Sequence, residues 1–335
     1  MDTITHCITG AVIAKAGFSQ RLGKIATFSS IAASFMPDAD IFLRLFRIED
    51  MSFFVKYHRG PGNSFFFMIP IAFTIALIFN RISGKKVLGR LFVLCVLAML
   101  THNFMDLQTS YGTMLLFPFS DKRFSLDLVF ILDFFYSGIL FVGLLGTIFW
   151  KGRAEWVARV TLVLIALYTG LCATNHSRAL SAAREFAAAN AIETIEVASL
   201  PQPLSPFLWT NLIKNHEFFY QGYLDLLGNN HRGYSDTLIG KYISKFKGLK
   251  EITYKPYARF PDTPLEKESL NLDGVKLFLW FARFPIFLPE EVKDGLHIVR
   301  LFDLRFHSLE GRYPFVYEVK FDRQGNIKSE SFKDT

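Results

Sequence analysis

The chain has 335 residues, 37 of them phenylalanine, with 51% hydrophobic and only 20% charged residues and a mean hydropathy of +0.26. That composition excludes a disordered chain and argues against an ordinary soluble domain. The formal charge is +7, but residues 1–175 hold 16 Lys+Arg against 10 Asp+Glu while residues 176–335 hold 21 against 20. The excess base therefore accompanies apolar sequence, where it reads as membrane topology rather than as a nucleic-acid surface.

The N-terminus, Met1-Asp2-Thr3-Ile4-Thr5-His6, lacks the basic stretch of a secretory signal peptide. Two short apolar runs follow, 7–18 and 25–37. They read as short spans, a re-entrant pair or helices packed inside a bundle. Residues 65–79 (extendable to Ile82), 88–105, 128–150 and 156–174 are the membrane-spanning candidates, since a span needs about 20 residues. Pro70 is tolerable there because neighbouring helices can satisfy the freed carbonyl. Cys7, Cys95 and Cys172 each lie in an apolar run without pairing or zinc spacing, and read as buried free thiols.

If all six runs cross, one set of short loops holds Lys15, Arg21, Lys24, Arg81, Lys85, Lys86, Arg90, Lys151, Arg153 and Arg159. The other set holds Arg44, Arg47, Lys56, Arg59, Lys122 and Arg123 in longer loops. The positive-inside rule places the first set in the cytoplasm and the second outside, with the C-terminal half.

Residues 176–200 are Ala- and Glu-rich and predict a helical linker that continues the last run. Pro201, Pro203 and Pro206 end it. Phe207–Ile213 and Phe218–Leu226 then predict a hairpin around Asn215-His216-Glu217. Leu296–His307 and Tyr313–Phe321 predict a second around Glu310-Gly311, Asp322–Asn326 a further turn, and 264–283 a helix. The expected fold is an α-helical polytopic membrane domain of four to six apolar helices over 1–175, followed by a soluble α+β domain over 201–335.

Chemistry-bearing residues gather at the ends of the apolar runs, where a charge is costly and so marks a functional candidate. Asp38 and Asp40 follow run 25–37. His58 and Arg59 precede the first strong span. His102 and Asp106 close the second, four residues apart, so on a helix they share one face and can reach one metal ion. Asp127 opens the third, with Asp133 six residues inside it. Imidazole with carboxylate is a common zinc set, and bridging carboxylates can join two ions. The plainer readings are helix or turn caps for Asp127, Asp38 and Asp40, and interface anchors for Arg59 and Arg123. His176, His216, His231, His297 and His307 read as structural or solvated. No nucleophile-elbow, phosphate-loop or dinucleotide motif is present.

The order Met1-Asp2, Thr5-His6, Pro37-Asp38-Ala39-Asp40, Tyr57-His58-Arg59-Gly60, Ser64, His102, Asp106, Thr109–Thr113, Leu116–Ser120, Arg123, Leu126-Asp127 and Asp133 resembles a known family. It is the family of membrane-bound, predicted metal-dependent hydrolases typified by the LexA-regulated inner-membrane protein of enteric bacteria. The resemblance covers roughly residues 1–140. The stretch from Pro203 to Trp209 is more loosely similar to longer members. The family is considered distantly related to zinc-dependent phospholipases C and single-strand nucleases. The resemblance implies a divalent-metal site, with zinc expected and manganese an alternative, and His6, Asp38, Asp40, His58, His102 and Asp106 as ligands. It implies hydrolysis, plausibly of a phosphoester or lipid-linked substrate, with a bacterial inner-membrane location.

Asp127 or Asp133 would then accept a proton or bind another ion, and Arg59 and Arg123 would hold a phosphate. One departure stands out. Family members usually carry a second histidine shortly after His-Arg-Gly, and here that place is Asn63. A lost ion, a harder metal or lost activity would each follow from a weaker amide ligand. The alternative function is a non-catalytic membrane protein whose His/Asp cluster is structural and whose C-terminal domain binds a partner.

Overall fold

The structure, a computed structural model, describes residues 1–46, 51–228, 237–307, 313 and 315–333. Arg47, His231 and the expected Glu310-Gly311 turn lie outside the described residues. The chain divides into two compact units, Met1–Glu49 with Tyr57–Thr174, and Asp50–Lys56 with Asn175–Thr335.

The first unit is helical. α1 (Thr3–Gly17) starts where the Asp2 carboxylate accepts the Thr5 backbone N–H at 2.9 Å, a side-chain cap on an otherwise orphaned donor. α2 (Ser19–Leu22) and Gly23, at φ +70°, turn the chain into α3 (Lys24–Phe35). α1 and α3 lie antiparallel and very close. A Cβ added at Gly10 would fall 2.5 Å from Ser34 Oγ and 2.7 Å from the Ser30 carbonyl. α4 (Ile41–Leu45), α6 (Phe65–Ser83) and α7 (Leu88–Leu107) follow, while α5 (Met51–Tyr57), between α4 and α6 in the chain, belongs to the second unit through Lys56. α8 (Phe134–Phe149) and α9 (Ala154–Ala189) follow. Ala14, Ala26, Ala33, Ala72, Ala76, Leu91, Leu94 and Met99 form one buried core. Val12, Met105, Tyr136, Leu140, Ala158 and Cys172 belong to a second. Alanine and glycine at these contacts let helix axes approach closely, as is usual where lipid surrounds a bundle.

Among the described residues three helical stretches are long and apolar enough to cross a membrane: Phe65–Ser83, Leu88–Leu107 and Lys151–Ala189. This corrects the expected four to six. α1 and α3 have 15 and 12 residues and pack within the bundle. Run 128–150 also yields less helix than its hydropathy suggested, since α8 is 16 residues long and starts at Phe134. The reason is local. The backbone N–H groups of Leu126, Leu128 and Val129 donate to the Leu107 and Gln108 carbonyls at the end of α7. Residues that satisfy another helix's terminal carbonyls have left helical geometry. The cysteines are free, with Cys95 and Cys172 buried and Cys7 partly so.

The second unit is β-rich. α9 ends at Ala189, so residues 190–200 are not all helical as expected. β1 (Glu196–Pro201) instead pairs antiparallel with β2 (Leu208–Lys214). β2 and β3 (Phe218–Asp225) form the expected first hairpin, whose turn is closed by Asn215 Oδ1 accepting from the Glu217 and Phe218 amides. After α10 (Leu238–Ile243), β4 (Tyr254–Ala258) completes a four-stranded antiparallel sheet. The expected helix over 264–283 is two, α11 (Pro264–Ser269) and α12 (Asp273–Phe281). The second sheet is β5 (Pro285–Lys293), β6 (Leu296–Asp303), β7 (Val316–Phe321) and β8 (Ile327–Lys333), in that order. Leu200, Leu212 and Phe219 of the first sheet pack against Phe284, Phe302 and Val316 from or beside the second. Val275 and Phe278 of α12 cover the other face of the second sheet at Val299, Leu301 and Val319.

Candidate metal centre

The Gly10 contact sets the centre's position. His6 lies one turn before Gly10 on α1, and Asp38 lies one turn beyond Ser34, in the 3-10 turn Met36–Asp38 after α3. Antiparallel packing brings both to one end of the bundle, where α7 delivers His102. One ligand atom from each of His6, Asp38 and His102 lies within 4.8 Å of the others. All three residues are buried. The two imidazoles stack, with ring centroids 3.7 Å apart.

The donor chemistry suits a divalent cation. His102 Nδ1 lies 2.7 Å from the Ser34 carbonyl, which can only accept, so Nδ1 carries a proton and Nε2 is the ring atom turned towards Asp38 and Asp106. Holding the outer ring nitrogen on a carbonyl is the usual way a metal-binding imidazole is oriented. His102 Nε2 and Asp38 Oδ1 are buried and stand 3.6 Å apart, and Asp38 Oδ1 has no hydrogen-bond partner. Asp38 Oδ2 is held by the Thr3 hydroxyl at 3.0 Å. Burial, reinforced by the neighbouring His102 imidazole, pulls the His6 pKa down to about 4, so His6 is neutral at pH 7, the form that binds metal. The residues present therefore fit a divalent ion. His6, Asp38 and His102 would hold it, and it would supply a polarised water.

Asp106 lies behind the three. Its Oδ1 is 2.5 Å from the Met1 amino group, 3.1 Å from His6 Nε2 and 3.1 Å from Arg59 Nη2. Its Oδ2 accepts from Asn63 Nδ2 at 2.9 Å and lies 3.2 Å from His102 Nε2. The side chain has no exposed surface. Asn63 is itself placed by a tight loop. A Cβ at Gly62 would lie 2.5 Å from the Pro37 carbonyl, and one at Gly60 would lie 2.5 Å from Met114 Cε. Only glycine lets this loop press against the Asp38 turn. The Asn103 side chain then donates to the Asn63 carbonyl at 2.8 Å.

A model of the YdjM inner membrane protein family matches residues 1–179, a stretch that includes every residue of this cluster. The chain belongs to that family. A second model, the YfhP C-terminal alpha/beta plait domain, matches residues 264–333. The chain is 23% identical over 339 residues to the uncharacterized protein YfhP of Bacillus subtilis (strain 168), covering 98% of this chain and 94% of that one. No solved structure matches.

Within this YdjM-family unit the other sequence-predicted residues divide. His58 pairs with Asp40, with Nδ1 3.0 Å from Oδ2. Both are partly exposed, and they form a flank rather than part of the triad. Arg59 takes a left-handed backbone, φ +56°, and is 3% exposed. Its Nη1 donates to the Thr109 hydroxyl at 2.5 Å and its Nη2 to the Met1 carbonyl at 3.2 Å. Arg123 Nη1 donates to the His58 and Gly112 carbonyls, both at 3.1 Å, and its guanidinium lies over the Tyr111 ring. The described donors of both arginines are thus turned inward.

Asp127 does not open a helix, contrary to expectation. It is buried in the loop after α7 with φ +55°. Asp133 is the cap of α8 and not six residues inside it. It accepts the Tyr136 N–H at 2.8 Å and the Tyr168 hydroxyl at 2.8 Å. Burial pushes the Asp133 carboxyl up, and these hydrogen bonds hold it back.

Sequence reasoning gave no role to Thr3, Ser34, Asn103 and Thr109 at the centre. Their signal is their spacing from named residues, since Ser34 lies four positions before Asp38 and Asn103 adjoins His102. Neither spacing says which backbone or side-chain atom faces the site.

Proposed function

We propose that the protein is a membrane-embedded, divalent-metal-dependent hydrolase with a centre at the outer ends of its helices. The observation that carries this reading is the buried set His6, Asp38 and His102. There, an oriented imidazole and an unpartnered carboxylate oxygen converge on one point. Buried polar atoms left without partners cost free energy, and a bound ion removes that cost. His6, Asp38 and His102 would hold a divalent ion, which would supply a polarised water as nucleophile. Zinc suits two imidazoles and a carboxylate, and manganese is the alternative.

The chain's own groups have distinct parts. Asp106 balances the Arg59 guanidinium and holds His6 and His102 in register. Arg59 and Asn63 are positioning residues for Asp106. The partly exposed His58–Asp40 pair is the group that would move a proton at the His58 ring. Asp127 and Asp133, one in a loop and one capping α8, support these elements. A centre at the ends of apolar helices suits a lipid headgroup or another phosphoester at the membrane surface.

Chain direction and charge support an outer-side reading for the centre. α1, α3, α6, α7, α8 and α9 alternate in direction, so loops carrying Lys15, Arg21, Lys24, Lys85, Lys86, Lys151 and Arg153 lie away from the metal centre. An excess of Lys and Arg in those loops favours a cytoplasmic position for them and an outer one for the centre.

The test is hydrolysis by the full chain in detergent, reconstituted with zinc or manganese. The probes are bis-p-nitrophenyl phosphate and a labelled phosphatidylglycerol. The account expects turnover that is abolished by chelation and by Asp38→Ala. A second reading has its own observation. Asn63 donates to Asp106 where the family has a histidine, and Asp106 is saturated by protein groups. On that reading the centre binds an ion only to tie helix ends together. Bound metal without turnover of either probe would favour it.

A further inference from the structure

The opposite end of the helical unit carries a pocket that the metal centre does not explain. The hydroxyls of Thr5 and Ser137 meet at 2.8 Å, joining the starts of α1 and α8 on the metal side. Lys15 lies ten residues further along α1, about 15 Å at helical rise, and Lys151 follows the end of α8. Around them is a pocket of about 520 Å3 whose lining includes Lys15, Ser19, Lys151, Arg153, Glu155 and Arg159. Four cations share it with one carboxylate. Glu155 is bound by Arg159, whose Nε also donates to the Ala16 carbonyl at 2.9 Å. The pocket therefore has a net positive charge, with Lys151 and Arg153 exposed.

A second compartment adjoins it. An apolar groove of about 560 Å3 runs between α8 and α9 and shares Trp156 with the basic pocket. Phe135, Val142, Trp150 and Leu164 line it, and all four are exposed. α8 and α9 touch at Gly143, where a Cβ would fall 2.1 Å from Thr161 Oγ1. Gly138 faces open space, with nothing within 4 Å of an added Cβ. Trp156 lines both compartments and Trp150 lines the groove beside it, and indole rings favour membrane surfaces.

A cationic pocket at a helix end, continuous with an apolar groove along the helices, matches an amphiphile with an anionic head and an acyl tail. We propose that this is a binding site for one anionic phospholipid. Its phosphate lies among Lys15, Lys151, Arg153 and Arg159, and one acyl chain lies along α8 and α9. The charge excludes a zwitterionic lipid as the preferred occupant, and the groove distinguishes a lipid from a free phosphate ion. The site lies at the far end from the metal centre, so the lipid is a bound partner and not the proposed substrate.

The test is native mass spectrometry of the full-length protein in detergent, supplied with phosphatidylglycerol, phosphatidylcholine or inorganic phosphate. Basic residues near a membrane surface each favour anionic lipid, so phosphatidylglycerol should be retained roughly tenfold or more over phosphatidylcholine. A Lys15→Gln, Lys151→Gln, Arg153→Gln variant should lose that preference. Gly138→Phe, or Gly138→Leu as a milder filling, should lower phosphatidylglycerol retention and leave inorganic phosphate unaffected. A thermal unfolding midpoint in detergent equal to that of the wild type would show that these variants are folded. Equal retention of the two lipids by the wild type would overturn the proposal. So would displacement of phosphatidylglycerol by inorganic phosphate together with indifference to Gly138 substitution, which would mark a site for a free anion.

Discussion

In the helical unit, Asp106 has no exposed surface and meets groups from Met1, His6, Arg59, Asn63 and His102. In the β-rich unit, Arg300 is 29% exposed and joins Glu318 at 2.9 Å and Glu291 at 2.6 Å. The partners of Asp106 come from five places in the first 106 residues. Those of Arg300 lie on the neighbouring strands β5 and β7. A surface pair on adjacent strands costs little to assemble and contributes little. A buried charge assembled from distant elements is expensive unless every partner is in place. The helical unit pays desolvation for a constellation that stability alone does not require.

Removing one member of the buried network should have the largest effect. Asp106→Ala would leave the Arg59 guanidinium and the Met1 amine buried without their carboxylate, a loss of about 3–5 kcal/mol. Thermal unfolding in detergent should show it as a collapse of the helical unit's transition. A stable Asp106→Ala protein would erase the contrast with the β-rich unit.

Gly10→Val tests how the centre is assembled. Its side chain would drive α1 from α3 at Ser30 and Ser34, an overpacking cost of about 1–3 kcal/mol. The separation should also carry His6 away from Asp38, so metal affinity should fall even in molecules that stay folded. Equilibrium metal titration measures that fall, and unchanged affinity would contradict the geometric account.

A smaller effect is expected at Asp133. Tyr168→Phe removes the hydroxyl that donates to its carboxylate and should cost about 2 kcal/mol. Metal content should not change, because neither residue belongs to the triad. Metal lost in parallel with stability would place Asp133 in the centre after all.

The smallest effect belongs to the β-rich unit. Burial raises the Glu318 carboxyl, but the hydrogen bond and charge of Arg300 outweigh it, and the net pKa is lowered. A carboxylate with a depressed folded pKa stabilises above its unfolded value near 4.5, and that contribution is lost as pH falls through the folded value. Glu318→Gln should therefore cost less than about 1 kcal/mol at pH 7. It should also flatten the decline of stability below about pH 4.5. An acid melting profile identical to wild type would show that the pair contributes nothing.

The sequence made part of the centre legible. His102 and Asp106 were readable as a pair because helix spacing puts i and i+4 on one face. His6 and Asp38 were readable only through the family motif, since nothing local says that α1 and α3 pack so closely at Gly10. Asp38 and Asp40 were indistinguishable in sequence. The 3-10 turn sends Asp38 to His102 and Asp40 to His58. Hydropathy counts residues 128–150 as one run and so puts Asp133 inside a helix, whereas Leu126, Leu128 and Val129 are committed to the end of α7 and Asp133 caps α8. The hairpins of the β-rich unit were easier, since Asn215 and Asp322 mark their turns through local side-chain hydrogen bonds. The end of α9 was not, because the strand pairing that begins at Glu196 overrides the helix propensity of an Ala-rich stretch.

The most direct measurement is metal content. Wild type and His102→Ala, purified in mild detergent after supplementation with zinc and manganese, would be analysed by mass spectrometry for bound ion per chain. The account predicts at least one equivalent in wild type and a clear loss in the variant, with both proteins folded. No bound ion in either folded protein would contradict the metal centre itself.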